Sequence, residues 1–156
     1  MDVDAFGAFY TRTARSLWAY LYRVTGNRTD ADDIMQEAFC RLLAGQRTLE
    51  DEEQNRRYLY RIASNLLVDR WRRRGRERLS DLDERLLPPV PEHREQVDIT
   101  RMLARLAPRE RALLWLADVE GHSHAEIAQA LGLARGSVRV LLFRCRERLR
   151  TMLGNS

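Results

Sequence analysis

Asp30, Asp33 and Glu37 fall at i, i+3 and i+7 of a stretch with helical periodicity, with Gln36 beside them, so three carboxylates share one helix face. Carboxylates so placed can hold a hard metal ion or share acid–base work, can dock on a basic partner, or can simply be solvated. A helical metallo-hydrolase built on these three residues needs further His or Glu ligands converging from elsewhere, and none is evident. His122 and His124 form an HxH with no Cys or acid at ligand spacing and read as residues of a loop that enters a helix. Cys40 and Cys145 lie far apart, outside any CxxC pattern, and read as reduced thiols with no catalytic part. No catalytic residue, metal or cofactor is expected.

The second chemistry is that of arginine. All 27 basic residues are arginine and the net charge is +4, unevenly placed. Residues 1–69 carry −2, residues 70–78 (Arg-Trp-Arg-Arg-Arg-Gly-Arg-Glu-Arg) +5, residues 79–100 −4 and residues 101–156 +5. Two basic blocks separated by an acidic stretch point to two contacts with a polyanion, and the planar guanidinium fork suits phosphate or a guanine edge. A GC-rich genome favouring arginine codons would give the same composition with solvated charges, and composition alone leaves both readings open. The block at 70–78 continues a helix bearing Tyr58, Tyr60, Asn65 and Trp71. Aromatic rings and an amide beside Arg72, Arg73 and Arg74 suit single-stranded DNA, whose unstacked bases need π-surfaces and hydrogen-bond partners. Burial of Tyr58 and Trp71 in a core is the competing reading.

The elements that must carry these residues are helices almost throughout. Phe6, Phe9, Tyr10, Leu17, Tyr20, Leu21 and Val24 follow helical spacing up to a turn at Gly26-Asn27. Thr29-Asp30-Ala31-Asp32 has the form of a capping box, opening a helix that turns Ala31, Ile34, Met35, Ala38, Phe39, Leu42 and Leu43 inward and stops near Gly45. Residues 46–57, polar and acidic, are expected to form a loop. A third helix with Tyr58, Leu59, Ile62, Ala63 and Leu66 inward runs into the arginine block and frays near Gly75. Residues 79–96 contain Pro88-Pro89-Val90-Pro91, which excludes helix and favours an extended spacer. A second helical unit follows, with Pro108 in the first turn of a helix carrying Leu113, Leu114, Leu116 and Val119. No strand pattern and no internal repeat occur.

The sharpest local signal lies in this second unit. Ser123-His124-Ala125-Glu126 is a capping box, the short helix after it ends at Gly132, and a longer helix runs from about Arg135 to Leu153. This is a helix-turn-helix: Ala128 allows close contact, Gly132 supplies the turn, and Val138 and Leu141 pack the second helix on the first. The second helix carries Arg135, Arg139, Arg144, Arg146, Arg148 and Arg150. A recognition helix meets the major groove through its N-terminal residues, and arginines further along reach phosphates. No apolar run approaches the ~20 residues of a membrane span. The acidic start, Met1-Asp2-Val3-Asp4, is unlike a signal peptide, so a cytoplasmic location is expected.

At this point the residues resemble a known family. Gly26-Asn27-Arg28-Thr29-Asp30-Ala31-Asp32-Asp33-Ile34-Met35-Gln36-Glu37-Ala38-Phe39 is similar to conserved region two of extracytoplasmic-function (ECF) sigma factors, the compact branch of the sigma-70 family. Tyr58-Leu59-Tyr60-Arg61-Ile62-Ala63-Ser64-Asn65-Leu66-Leu67-Val68-Asp69-Arg70 resembles the helix that follows there. Leu106-Ala107-Pro108-Arg109-Glu110-Arg111 and residues 121–146 resemble region four. The resemblance implies an all-α chain of two small helical domains: region two at 1–78, a flexible proline-containing linker at 79–96, and a helix-turn-helix region four at 97–156. It implies that Asp30, Asp33, Gln36 and Glu37 dock on the clamp helices of the polymerase β′ subunit, with the β subunit as a further contact. Residues 45–57 would hold a flipped-out base of the −10 element. Tyr58, Asn65, Asp69, Trp71, Arg72, Arg73 and Arg74 would follow the melted strand, and Arg135, Ser137, Arg139, Phe143 and Arg144 would lie at the −35 element. An anti-sigma factor is an implied partner, and no enzymatic activity is implied. The recognition helix departs from the usual pattern at Val140 and Leu141, where relatives carry serine and arginine. The rival reading is a helix-turn-helix regulator that binds duplex DNA without joining polymerase.

Overall fold

The computed structural model describes residues 3–45, 51–77 and 101–154, and the described residues form helices with no strand. The expected spacer at 79–96 and the first part of the expected loop, 46–50, lie outside them. The helices are α1 (Val3–Thr25), α2 (Arg28–Ala44), α3 (Glu52–Glu77), α4 (Pro108–Leu114), α5 (His124–Leu131) and α6 (Arg135–Gly154), with a π-helical turn at Trp115–Val119 following α4. Residues 101–104 are also helical and lead into α4.

Local chemistry fixes most boundaries. Gly26, at φ +67°, closes α1 in the left-handed conformation that a side chain would resist, and its N–H donates to the Tyr22 carbonyl at 2.7 Å. α2 begins two residues earlier than expected. Its cap is Asn27, extended at φ −136°, whose side chain accepts from the Asp30 N–H at 3.0 Å, so Thr29 lies within the first turn. Only Gly26 and Asn27 separate α1 from α2.

The expected loop at 46–57 is corrected in its second half, because α3 starts at Glu52. The Asp51 carboxylate accepts from the Glu53 N–H at 2.9 Å, Glu52 and Glu53 sit at the positive helix end, and Glu53 pairs with Arg57 one turn on at 3.3 Å. The helix also runs past Gly75 to Glu77 rather than fraying at the glycine.

α1, α2 and α3 bury Leu17, Tyr20, Leu21, Val24, Ala31, Ile34, Ala38, Leu59, Ala63 and Leu67 against one another. Tyr60, grouped above with the DNA-facing aromatics, belongs to this core. It is fully buried, with its ring 5.4 Å from that of Tyr20. The C-terminal unit packs α4, α5 and α6 around Leu113, Leu116, Ile127, Leu131, Val138 and Leu142. The recognition helix inserts Leu142 rather than Leu141, which is only half-buried, and the π turn leaves Val119 exposed.

The two units share one continuous apolar core in which Tyr20 of α1 meets Trp115 at 6.2 Å and Tyr60 of α3 meets His122 edge-on at 5.9 Å. A buried arginine joins them. Arg111 on α4 donates to the Leu106 carbonyl at 2.7 Å and to the Val24 carbonyl in the last turn of α1 at 2.8 Å. A cation is well placed there, where helix carbonyls lack intrahelical donors.

Candidate nucleic-acid and polymerase interfaces

The acidic face of α2 separates into two parts. Asp30 turns toward α3, where it accepts from Arg70 at 3.0 Å and Arg74 at 2.7 Å, leaving its side chain 13% exposed. It fastens the arginine block to α2 and is not presented with its neighbours. Asp33, Gln36 and Glu37 remain exposed, with Glu37 bonded to Arg41 at 2.9 Å on the next turn. Asp32 accepts from the Trp18 indole N–H at 2.7 Å. Among the described residues no group of three His, Cys, Asp or Glu side chains is placed to hold a metal ion. His122 and His124 also diverge, the first buried against Tyr60 and the second exposed at the start of α5.

Along α3, helical geometry sends the arginines in different directions. Arg70 and Arg74, one turn apart, face α2. Arg72 reaches the turn between α5 and α6, its guanidinium 3.3 Å from where a Cβ on Gly132 would stand, while Arg73 is exposed. Tyr58 and Trp71 are half-buried, packed on the core with part of each residue accessible, and Asp69 is exposed. Asn65 presents its amide to the end of α5. In the orientation its partners dictate, the nitrogen donates to the Ala130 carbonyl at 2.8 Å and the Gln129 carbonyl at 3.2 Å.

The start of α3 carries two arginines that sequence reasoning had placed in a loop. Arg56 binds Glu120 at 2.7 Å, donates to Ser16 Oγ at 3.1 Å and lies over the Tyr60 ring at 5.3 Å. Arg57 grips both oxygens of Glu126, at 2.7 and 2.9 Å. Glu126 also closes the expected capping box, accepting from the Ser123 N–H at 2.9 Å while Ser123 Oγ accepts from the Glu126 N–H at 3.2 Å. Burial works against this carboxylate, yet the Ser123 N–H and Arg57 hold it below its ordinary range. Long-range pairs such as Arg56–Glu120 leave no periodic trace in a sequence.

The helix-turn-helix has the expected turn, with Gly132 at φ +65°. The arginines of α6 fall into two sets. Toward the C-terminus Arg146 binds Asp118 at 2.6 Å, Arg148 binds Glu110 at 2.6 Å and Arg150 binds Glu147 at 3.0 Å. Arg135, Arg139 and Arg144 are exposed and make no ion pair among the described residues. Phe143 lies 65% exposed and Val140 49% exposed on the same half of the helix, and Ser137 is half-buried. Behind it the Cys145 thiol donates to Glu110 Oε2 at 3.4 Å. Burial and that carboxylate push the thiol up to about 12.

Comparison with known proteins divides the chain into the same two units. Residues 9–77 match Sigma-70 region 2, and residues 96–149 match Sigma-70, region 4. The ECF RNA polymerase sigma factor SigM of Mycobacterium tuberculosis is 31% identical over 157 residues, covering 98% of this chain and 79% of that protein. The chain belongs to the ECF branch of the sigma-70 family. SigE of Mycolicibacterium smegmatis, an ECF RNA polymerase sigma factor, is 35% identical over 152 residues, which span 90% of this chain and 58% of SigE. Among solved structures, the sigma factor RpoE from Bartonella quintana, in complex with the anti-sigma factor NepR, shares the fold at a TM-score of 0.73 and 23% identity, over 97% of this chain and 98% of that one. CnrH, in complex with the cytosolic domain of CnrY, aligns at 0.65 and 25% identity over 99% and 91%. No described helix is long and apolar enough to cross a membrane.

Two outcomes follow for this ECF sigma factor. Asp30→Ala strands Arg70 and Arg74 and should lower stability in urea by about 1–3 kcal/mol, whereas Asp33→Ala and Glu37→Ala should each stay within about 0.5 kcal/mol. Equal effects at all three positions would remove the distinction between the anchoring and the presented carboxylates. The second outcome concerns pH. Burial pulls His122 below its ordinary value of 6.5, against the attraction of Glu126, Glu120 and Glu53 and alongside the repulsion of Arg57. The folded state therefore favours the neutral ring. Its contribution is complete above about 6.5 and is lost as pH falls toward the depressed value. Urea midpoints should drop between pH 7.5 and 5.5, and His122→Phe should flatten the slope in that window.

Proposed function

We propose that this chain joins core RNA polymerase and directs promoter-specific initiation through two DNA contacts. In this reading residues 1–78 dock on polymerase and engage the −10 element, residues 79–96 link the two units, and residues 97–156 read the −35 element. Asp33, Gln36 and Glu37 form the docking face for the β′ clamp helices, with β as the second polymerase contact, and Asp30 supports it by holding the arginine block. Tyr58, Asn65, Asp69, Trp71, Arg72 and Arg73 follow the melted strand. Arg135, Ser137, Arg139, Phe143 and Arg144 meet the −35 duplex. The observation that carries this reading is the division within α6, where the distal arginines are spent on internal carboxylates and the proximal ones stand open.

The complexes of RpoE with NepR and of CnrH with CnrY support an anti-sigma factor as a further partner. The chain itself acts in the cytoplasm, where the polymerase is, and performs no catalysis of its own. A duplex-only regulator would need neither the acidic face nor the Asn65–Trp71 helix.

Reconstituted transcription tests the whole assignment: core polymerase with this chain should initiate from a subset of a randomised promoter library, and core alone should not. Asp33→Arg with Glu37→Arg juxtaposes like charges across the docking interface, a cost of several kcal/mol, so pull-down of core should collapse while circular dichroism stays unchanged. Retained binding would sink the docking face. For the duplex contact, Arg139→Ala should cost about 1–3 kcal/mol on the preferred −35 site and relax preference at one base pair, with Val140→Ser changing much less. A uniform loss on every single-base variant would make Arg139 a phosphate contact.

A further inference from the structure

The outward face of α6 carries an apolar strip among open arginines. Val138 and Leu142, both buried, stand two residues either side of Val140, so each points about 160° away from it. Val140 therefore lies on the crest of the helix, opposite the line that anchors it, and is exposed. Gly136, one turn earlier, is about 40° from the same crest, and the exposed Phe143 and Arg144 flank Val140 on either side. Gly136 has ordinary helical backbone, and a Cβ placed on it would meet nothing within 4 Å. Helices favour alanine over glycine, so among the described residues nothing accounts for a glycine here. A bare first turn is what close approach to an external surface requires.

Arg135, Arg139 and Arg144 surround the strip with open positive charge, which suits DNA rather than an apolar protein partner. Valine neither donates nor accepts a hydrogen bond. The apolar group that a base pair displays in the major groove is the thymine methyl. A branched side chain in a helix holds one preferred rotamer, so Val140 presents its methyl groups with little freedom left to lose on contact. We propose that Gly136 and Val140 seat a thymine 5-methyl group in the −35 major groove and make thymine the preferred base at that position. The proposal rests on reading α6 as the −35 helix. Gly136 lets the backbone come close, Val140 makes the contact, and Phe143 beside it keeps water away. Apolar readout at the crest is thereby added to polar readout by the arginines at its sides.

The test uses holoenzyme reconstituted from core polymerase and the full chain, with the promoter duplex it selects from a randomised library. Each −35 thymine, on either strand, is replaced in turn by deoxyuridine, which lacks only the methyl group and keeps the base pair. One replacement should weaken wild-type binding about threefold, the scale of exposing one buried methyl group. Holoenzyme carrying Val140→Ser should bind the thymine and uracil forms of that duplex equally. Gly136→Ala should weaken binding of the selected duplex about tenfold, the scale of a base contact held off its partner. Melting of the free Gly136→Ala chain should stay cooperative, at the same or a higher temperature. Absence of a uracil effect at every position overturns the proposal, as does a selected −35 element with no thymine on either strand. A uracil penalty that persists in Val140→Ser gives the methyl to another side chain and overturns it as well. Unchanged binding by Gly136→Ala overturns the close approach. The uracil scan on wild type needs no variant to fold. Initiation by wild type without a uracil effect defeats the methyl contact alone, whereas failure of wild type to support initiation from any promoter defeats the functional reading.

Discussion

The structure depends on α3 being one unbroken helix of 26 residues, about 39 Å long. A helix of that length has room for separate partners on separate sides, and the 100° step between residues distributes them. Leu59, Ala63 and Leu67 go to the core, Arg70 and Arg74 to Asp30 on α2, Arg56 and Arg57 to the C-terminal unit, and Arg73 to solvent. A break at the arginine block would leave Asp30, largely withdrawn from water, without its cations. A break near the start would leave Glu120 in the same position. Buried carboxylates without partners are costly, so each ion pair holds the helix straight as much as the helix holds the pair.

On the N-terminal side of the junction, apolar contact is combined with a hydrogen-bonded network between α1 and α3. Tyr20 hydrogen-bonds Ser64 at 2.8 Å, and Tyr60 donates to Ser16 Oγ, which also accepts from Arg56. Burial pushes both tyrosine hydroxyls well above their ordinary range, so they remain protonated and able to donate. Such a network specifies one arrangement of α1 and α3, because sliding either helix strands several polar groups together.

Much of this was legible in the sequence. Apolar spacing gave the helices and most of their inward faces, the Ser123–Glu126 box and Gly132 gave the helix-turn-helix, and the order of motifs gave the family. Two errors came from local signals that compete. Asn27 and Thr29 are both acceptable caps, and only the backbone decides which oxygen meets an orphan N–H. Residues 52–57 look like a polar loop because their partners, Glu120 and Glu126, lie more than sixty residues away. The pairing of Asp30 was illegible for the same reason, since its spacing matches Asp33 and Glu37 while its cations come from α3. Tyr60 could not be distinguished from a DNA-facing ring without the packing of Tyr20 and His122. How the two units meet is fixed by individual long-range pairs rather than by any period.

The surroundings of Cys145 have a practical consequence. Only the thiolate reacts appreciably with electrophiles and oxidants. A buried thiol held protonated by Glu110 is therefore protected chemically as well as sterically, while Cys40 lies exposed on α2. A maleimide dye will select Cys40 in the folded protein. The natural chain thus takes a single label on its N-terminal unit with no residue replaced, and a second dye on DNA would report how the two approach.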